Sequence, residues 1–331
     1  VPTPAAGTFA RIAARLVLLG ANLVAAAVMP RMVVAFRRGV GYWPRLATPR
    51  TYREKIQWRK IFDRNPRFVE LQDKLAARRL VRELLPRLAM TQTLWSGVDA
   101  DSIPFDTLPP HFYLKSNHGS GFNLAVDQAA PDARERARAF GRDVLKRRWG
   151  ASRREWAYSQ IEPRLFAENR LRSVAGDSPP EFAVVVMDRR VVFVAAQRKV
   201  GGRSLYGYYS PDWARLPVLI GDGSRDEDVA RPLSLEEMLA SARAIGGMVD
   251  MLRVDFYDAD GVAYFGECTV YPVSGLLEIR PRGFDFEWGA RWRLARSAFF
   301  AIQLGPLMRA YRWALSLHLA QTDRNGRGTG V

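Results

Sequence analysis

Two acidic side chains stand on otherwise apolar runs in the stretch Leu252–Val270, LRVDFYDADGVAYFGECTV. The first run carries Arg253 and Asp255, a DADG turn follows, and the second carries Glu267 and Thr269. An unpaired carboxylate is costly to bury, so these acids need a partner. Turn chemistry decides whether they meet. A two-residue loop, Ala259-Asp260, sets Asp255 opposite Tyr264 and turns Glu267 to the other side of the sheet. A three-residue loop ending in a left-handed Gly261 gives a G1-bulge hairpin, which pairs Asp258 with Val262 and Arg253 with Glu267. Asp255 then lies diagonally beside Glu267 on one face, within side-chain reach. Gly261 favours this second register. Two carboxylates beside one arginine suggest a divalent cation that bridges to phosphate oxygens. A solvent-facing pair of charged strands is the plainer alternative.

A second cluster is HFYLKSNHGSGFNLAV. Phe112 to Leu114 reads as a short strand ended by Lys115, and Asn117–Asn123 as a loop containing Gly119 and Gly121. Glycines let backbone N–H groups approach an anion closely, and the lysine adds charge toward phosphate. The lysine precedes the glycines, so this is not the GxxxxGK[ST] loop. His118 either contacts phosphate or makes a structural hydrogen bond. Farther on, IEPRLFAENRL gives a strand, Arg164–Ala167, that ends at Glu168. A glutamate there accepts from ribose hydroxyls or simply faces solvent. Arg198, Lys199 and Arg203 follow two apolar runs and are candidates to meet an acidic substrate.

The positioning elements follow from periodicity and punctuation. At 331 residues the chain exceeds the roughly 250–300 at which one core divides, so two lobes or more are expected. Apolar content of 48% supports a packed core, and a net charge of +16 favours anionic partners. The single cysteine, Cys268, excludes an internal disulfide and fits a reducing compartment. Three histidines leave little for a His-based zinc site. Thr51 to Leu85 reads as helical, interrupted at Asn65-Pro66 and restarting at Arg67. Trp58 belongs to its packed face; Asp73 and Lys74 are read on a solvated face, with contact to a ligand as the alternative. Residues 131–160 read as basic helices, and residues 173–180 as a crossing between lobes. Phe182–Met187 and Val191–Ala196 form two strands around Asp188-Arg189-Arg190, apolar enough for a sheet covered on both faces. Tyr206–Pro217 reads as a tyrosine-rich loop. Ser234 and Glu237 make a capping box for a helix leading into the Leu252 hairpin, and Tyr271–Gly275 turns the chain after it.

The two ends differ from the middle. Leu16 to Met29 is an apolar run among arginines, and at fourteen residues is shorter than the roughly 20 that span a bilayer. A signal peptide is one reading; an interfacial or core helix is the preferred one. Residues 291–320 form a basic amphipathic segment that packs on the body or on the N-terminal helix, with a membrane-surface helix as the alternative. The last ten residues read as disordered. No internal repeat is present.

The stretches EKIQWRKIFDRNP, FYLKSNHGSGFN, PRLFAENRL, YYSPDWARLP and RVDFYDADGVAYFGECTVYPVSG, in this order, resemble the TupA-like ATP-grasp proteins. The resemblance covers roughly Thr51 to Trp292. It implies an α+β ATP-grasp fold, two lobes with a nucleotide cleft between antiparallel sheets and helical N- and C-terminal extensions. The implied division is 1–50, an apolar-basic extension and linker; 51–175, a helical segment with the N-lobe; 176–290, the C-lobe with the metal hairpin; and 291–331, the basic amphipathic end. The resemblance further implies ATP and Mg2+ and a cytoplasmic ligase joining a carboxylate to an amine through an acyl-phosphate. The setting would be surface-polysaccharide or teichuronopeptide biosynthesis. Lys115 is similar to the family lysine on the nucleotide phosphates, with Asn117, Gly119, Ser120 and Gly121 in the loop over them. Glu168 and Asn169 look like the adenine and ribose hinge. Asp255 and Glu267 look like the magnesium ligands, with Arg253 next to them.

Two positions depart from the pattern. Thr269 stands where many ATP-grasp enzymes have Asn in Glu-x-Asn, and its hydroxyl can still reach magnesium directly or through water. Ala183 stands where a lysine is common, which implies weaker ATP binding, a relocated cation such as Lys199, or altered activity. Arg198, Arg203 and Arg280 are candidates for an acidic acceptor. The rival readings are an ATP-dependent kinase of a sugar or head group and a non-catalytic glycan- or nucleotide-binding homologue. A glycosyltransferase would place a DxD between Rossmann strands, which this chain does not. No nucleic-acid module is recognisable. The apolar-basic ends leave contact with a membrane surface open.

Overall fold

The computed structural model describes residues 7–150, 153–173, 178–200, 203–221 and 229–327. The chain begins with helices α1 (Thr8–Val28), α2 (Pro30–Val40), α3 (Tyr52–Phe62), α4 (Arg67–Gln72) and α5 (Lys74–Leu84). Strands β1 (Ala89–Met90), β2 (Thr93–Gly97), β3 (His111–Ser116) and β4 (Asn123–Asp127) lead to α6 (Ala133–Lys146) and α7 (Trp156–Ser159). Then come β5 (Leu165–Asn169), β6 (Glu181–Met187), β7 (Arg190–Val200), β8 (Arg203–Tyr209), β9 (Leu219–Ile220) and α8 (Leu235–Gly246). The hairpin is β10 (Met251–Ala259) and β11 (Val262–Thr269), followed by β12 (Ile279–Arg280), α9 (Gly283–Arg291) and α10 (Pro306–Arg327).

These elements gather into two compact units. One holds residues 1–65, 218–222 and 271–331; the other holds 66–217 and 223–270.

In the first unit the centre is α3, which is buried nearly all round despite carrying Arg53, Glu54, Lys55, Arg59 and Lys60. Buried charge is tolerated because each such head finds partners. Arg53 donates to Asp285 Oδ2 from Nε at 3.0 Å and Nη2 at 2.9 Å. Lys55 Nζ donates to the carbonyls of Gly289 at 2.6 Å and Trp292 at 2.5 Å, at the C-terminal end of α9. Lys60 does the same for the Ser274 carbonyl at 2.7 Å in the Pro272–Gly275 turn. Thr51 and Glu54 close a capping box at the start of α3. Helices α1 and α10 pack on each other. At 21 residues α1 is longer than the apolar run read from sequence, and by length and composition it is long enough to cross a membrane. The helix α10 continues to Arg327, where the sequence suggested disorder.

The second unit holds two sheets. The larger runs β1-β11-β10-β6-β7-β8, antiparallel except for β1 with β11; the smaller runs β2-β5-β3-β4. Helix α8 covers one face of the larger sheet, close enough that a methyl on Gly246 would stand 2.6 Å from Val186. Phe112, Leu114, Leu165 and Ala167 line the inner face of the smaller sheet, packed with Ala137 of α6. Three local expectations are corrected. Asp73 ends α4 and caps α5 by accepting from Leu75 and Ala76 N–H, so the helix breaks there as well as at Pro66. The Ser234 hydroxyl donates to Asp258 Oδ2 at 2.8 Å, so no capping box forms on α8. Tyr206–Tyr209 belongs to β8 and not to a loop.

Candidate active site

The hairpin adopts neither register read from the sequence. Ala259 pairs with Val262, leaving Asp260 and Gly261 as the turn at φ 55° and 83°. Two left-handed residues suit the right-handed twist of the strands, and Asp-Gly is a preferred pair there. Asp258 locks the turn by accepting from the Gly261 N–H at 2.8 Å. Arg253 therefore faces Thr269, not Glu267. The ladder then slips between Val254 and Phe256, so that Gly266 and Glu267 together oppose Asp255. That bulge restores the proximity of the two acids by a different route.

Asp255 is 1% exposed. Arg253 grips it with two bonds, Nε to Oδ1 at 2.7 Å and Nη2 to Oδ2 at 2.5 Å. Burial pushes the Asp255 carboxyl up and the nearby Glu267 charge adds to this, against the pull of Arg253. Glu267 is also pushed up by burial, but the Lys74 ammonium, 2.9 Å away, and Arg253 together hold it below the usual carboxylate range. Lys115 lowers it further, which places the smaller sheet's lysine in the electrostatic field of the hairpin acids.

On the smaller sheet Lys115 lies within β3 and does not end it; it pairs with Asn123 and Phe166. Glu168 is likewise inside β5, opposite Tyr113 and 2% exposed, neither at a strand end nor in solvent. Its oxygens bind Lys115, Arg78 and the Thr91 hydroxyl. Burial raises its pKa, and Lys115 and Arg78 outweigh that, leaving it below the ordinary value.

The loop after β3 is tied down at both ends. Asn117 donates to Asp73 Oδ2 and the Glu162 carbonyl, each at 3.1 Å, and accepts from the Arg164 N–H at 2.8 Å. Its side chain is thus a latch and is not presented to phosphate. His118 is 1% exposed, with Nε2 donating to the Arg147 carbonyl at 2.9 Å and Nδ1 left to accept from the Ser116 hydroxyl at 2.7 Å. Burial, then Lys74 and Arg148, hold its pKa below the ordinary value, and both ring nitrogens are taken up by these internal hydrogen bonds. Gly119 and Gly121 take φ 88° and 78°, and Ser120 is exposed between them. The Gly119 carbonyl accepts from Lys74 Nζ at 2.7 Å.

The remaining candidates are scattered. Thr269 faces Arg253 across the hairpin and shares its side of the sheet. Asn169 is at the exposed end of β5, its amide 3.5 Å from Gln92. Ala183 is directly opposite Asp255 on β6 and pairs with Ala195 on β7. By alternation Arg198 falls on the other face of the sheet from Asp255 and is not part of this cluster. Arg280 belongs to the other unit, where it donates to the Gly221 carbonyl at 3.1 Å. The side chains of Lys199 and Arg203 lie outside the described residues.

Sequence reasoning missed Arg78 and preferred a solvated face for Lys74, with ligand contact as the alternative. Both sit on α5 one turn apart, immediately after the Asp73 cap, and reach Glu267 and Glu168 respectively. The i,i+4 spacing of two cations on a helix was the available signal. The cluster therefore sets four cations, Lys74, Arg78, Lys115 and Arg253, against three carboxylates, Glu168, Asp255 and Glu267. Among the described residues no group of three or more His, Cys, Asp or Glu could hold a metal ion. Asp255 and Glu267 fit a hard divalent cation that takes its other oxygens from a phosphate chain and water.

The family described as TupA-like ATPgrasp matches residues 54–293. No curated protein matches the sequence. Among solved structures, the chain is similar to the ADP complex of PurK, an N5-carboxyaminoimidazole ribonucleotide synthetase, at 14% identity and TM-score 0.37, covering 60% of this chain and 45% of that one. It is similar to D-alanine-D-alanine ligase from Helicobacter pylori at 12% identity and TM-score 0.37, covering 67% and 56%. A third is the ATP-grasp ligase PsnB complexed with a phosphomimetic minimal precursor, Mg and ADP, at 15% identity and TM-score 0.36, covering 79% and 66%. The chain thus spans about half the length of the first two.

Proposed function

Because this chain belongs to the TupA-like ATP-grasp family, we propose that it is an ATP- and magnesium-dependent ligase that joins a carboxylate to an amine. The observation that carries the reading is the convergence in one compact unit of Asp255 and Glu267 with Lys74, Lys115 and Arg253. The acceptor carboxylate attacks the γ-phosphorus of ATP and ADP leaves. The amine then attacks the acyl-phosphate carbon, losing a proton as inorganic phosphate departs. Asp255 and Glu267 would hold magnesium, which would supply neutralisation of phosphate charge. Lys115 and Lys74 hold anionic oxygens beside the glycine loop, and Lys74 keeps the Gly119 backbone in place. Arg253 orients Asp255. Glu168 fixes Lys115 and Arg78, so the cations are positioned before a polyanion arrives. The acceptor is an acidic sugar or glycan in surface-polysaccharide or teichuronopeptide-like assembly, and the site is cytoplasmic.

Release of ADP and phosphate, followed with and without magnesium across acidic sugars and amino acids, tests this. Asp255→Asn and Glu267→Gln are each expected to lower magnesium-dependent turnover by about 100-fold or more, with unchanged circular dichroism. Unchanged rates in both variants would remove the metal assignment. ADP release without free phosphate would make the protein a kinase. A second reading rests on Ala183, whose methyl stands opposite Asp255 where a cation is common in the family. Nucleotide binding without any turnover would favour that non-catalytic form.

A further inference from the structure

In the first unit, the side of α1 turned away from its packing face carries Phe9, Ile12, Leu16, Leu19 and Leu23, exposed by 90, 51, 64, 58 and 61%. At one turn per 3.6 residues these five fall within a sector of about 80°. Ala14, Leu18 and Ala25, the buried residues, lie on the opposite side. An apolar stripe this long needs a cover. Charge says which. Residues 1–50 contain seven arginines and no Asp or Glu, and residues 288–322, which include most of α10, contain five arginines and no Asp or Glu. A partner for this face must be apolar in depth and negative at its surface.

A cavity of about 500 Å³ opens beside the stripe, between α1, α10 and the segment at 45–48. Arg11, Arg15, Arg45 and His318 line it and no acid does. Asn22 helps to place Arg45, because its Oδ1 accepts from the Leu46 N–H at 2.8 Å and the Ala47 N–H at 3.2 Å. Burial, then Arg50 and Arg45, hold His318 below its ordinary pKa, as expected in an electropositive recess. Leu19 belongs to both the cavity wall and the exposed stripe, so the recess adjoins the stripe.

We propose that this face lies on an anionic lipid bilayer, with the α1 stripe in the headgroup–acyl boundary and the arginine-lined cavity holding a lipid phosphate. Because the inner face of α1 is committed to α10, the helix lies along the surface and does not cross it. Guanidinium forks match phosphate oxygens, and the stripe supplies the apolar depth that a soluble phosphate compound would leave uncovered.

The test is co-sedimentation of the full chain with vesicles of phosphatidylcholine alone or mixed with phosphatidylglycerol. Binding is expected to the mixed vesicles and to be weakened about fivefold for each of Arg11→Gln, Arg15→Gln and Arg45→Gln. Leu16→Gln with Leu23→Gln, both at exposed positions, is expected to abolish it with every arginine in place. Magnesium-dependent ATP turnover, read at the site in the other unit, stays unchanged in all of them. Equal binding to phosphatidylcholine alone, or full binding by the arginine variants, would overturn the proposal. So would displacement by inorganic phosphate, which would assign the recess to a soluble ligand. A chain that ignores vesicles but dimerises, and is made monomeric by the leucine changes, would assign the stripe to a second copy.

Discussion

Lys74 holds two parts of the site with one ammonium, since its Nζ is 2.9 Å from Glu267 and 2.7 Å from the Gly119 carbonyl. Lys74→Met removes both bonds while keeping the stem. The expected result is a fall in kcat/KM of about 100-fold with little change in the urea midpoint; an unaltered kcat/KM would reduce Lys74 to a strut. Glu168 behaves differently, because its charge is buried and offsets Lys115 and Arg78. Glu168→Gln leaves those two cations uncompensated and should destabilise the chain by about 3–5 kcal/mol in urea unfolding. The sign of its pH dependence follows from a depressed folded pKa. Its contribution is complete above the unfolded value, roughly 4.3, and is lost as pH falls through the lower folded value. Wild type and Glu168→Gln should therefore converge in acid and separate toward neutrality. At this scale the sequence was readable where a residue type clashed with its surroundings: an acid on an apolar strand marked Asp255 and Glu267. It was less readable for Lys74 and Arg78, whose partners Glu267 and Glu168 lie 193 and 90 positions farther along the chain.

The hairpin shows how an element can be foreseen and its register missed. Alternation and the DADG turn announced two strands, yet the pairing depends on where a single extra residue is accommodated. Either a bulge at the turn or one at Gly266-Glu267 brings the acids together, and only the second leaves Asp260-Gly261 free to form the tight turn. Helix α3 was legible in extent, but nothing in the sequence signalled that its charged residues are buried and close the ends of neighbouring elements. Packing there is close enough to test. A methyl on Gly289 would stand 2.2 Å from the Arg50 carbonyl and 2.8 Å from Thr51, both backbone. Gly289→Ala should cost about 3 kcal/mol or more, since backbone cannot step aside as a side chain can. Thermal unfolding measures it, and a cost within experimental error would mean that α9 slides freely on the start of α3.

Over the whole molecule, the ATP-grasp fold with mixed helices and antiparallel sheets was visible in the order of five motifs. What order along the chain does not display is which stretches gather. One unit draws on residues 1–65, 218–222 and 271–331, and the charge-segregated ends meet there as α1 and α10. The other unit is complete once Val270 has been added. This has a consequence for the order of events during synthesis. As the nascent chain emerges, α3 appears early, and Arg53 and Lys55 must wait for Asp285 and the end of α9 before they find these partners. The second unit can close while the first is still half-made, so a nascent chain stalled with Val270 just outside the ribosome should carry a protease-resistant core and an N-terminal segment that is still digestible.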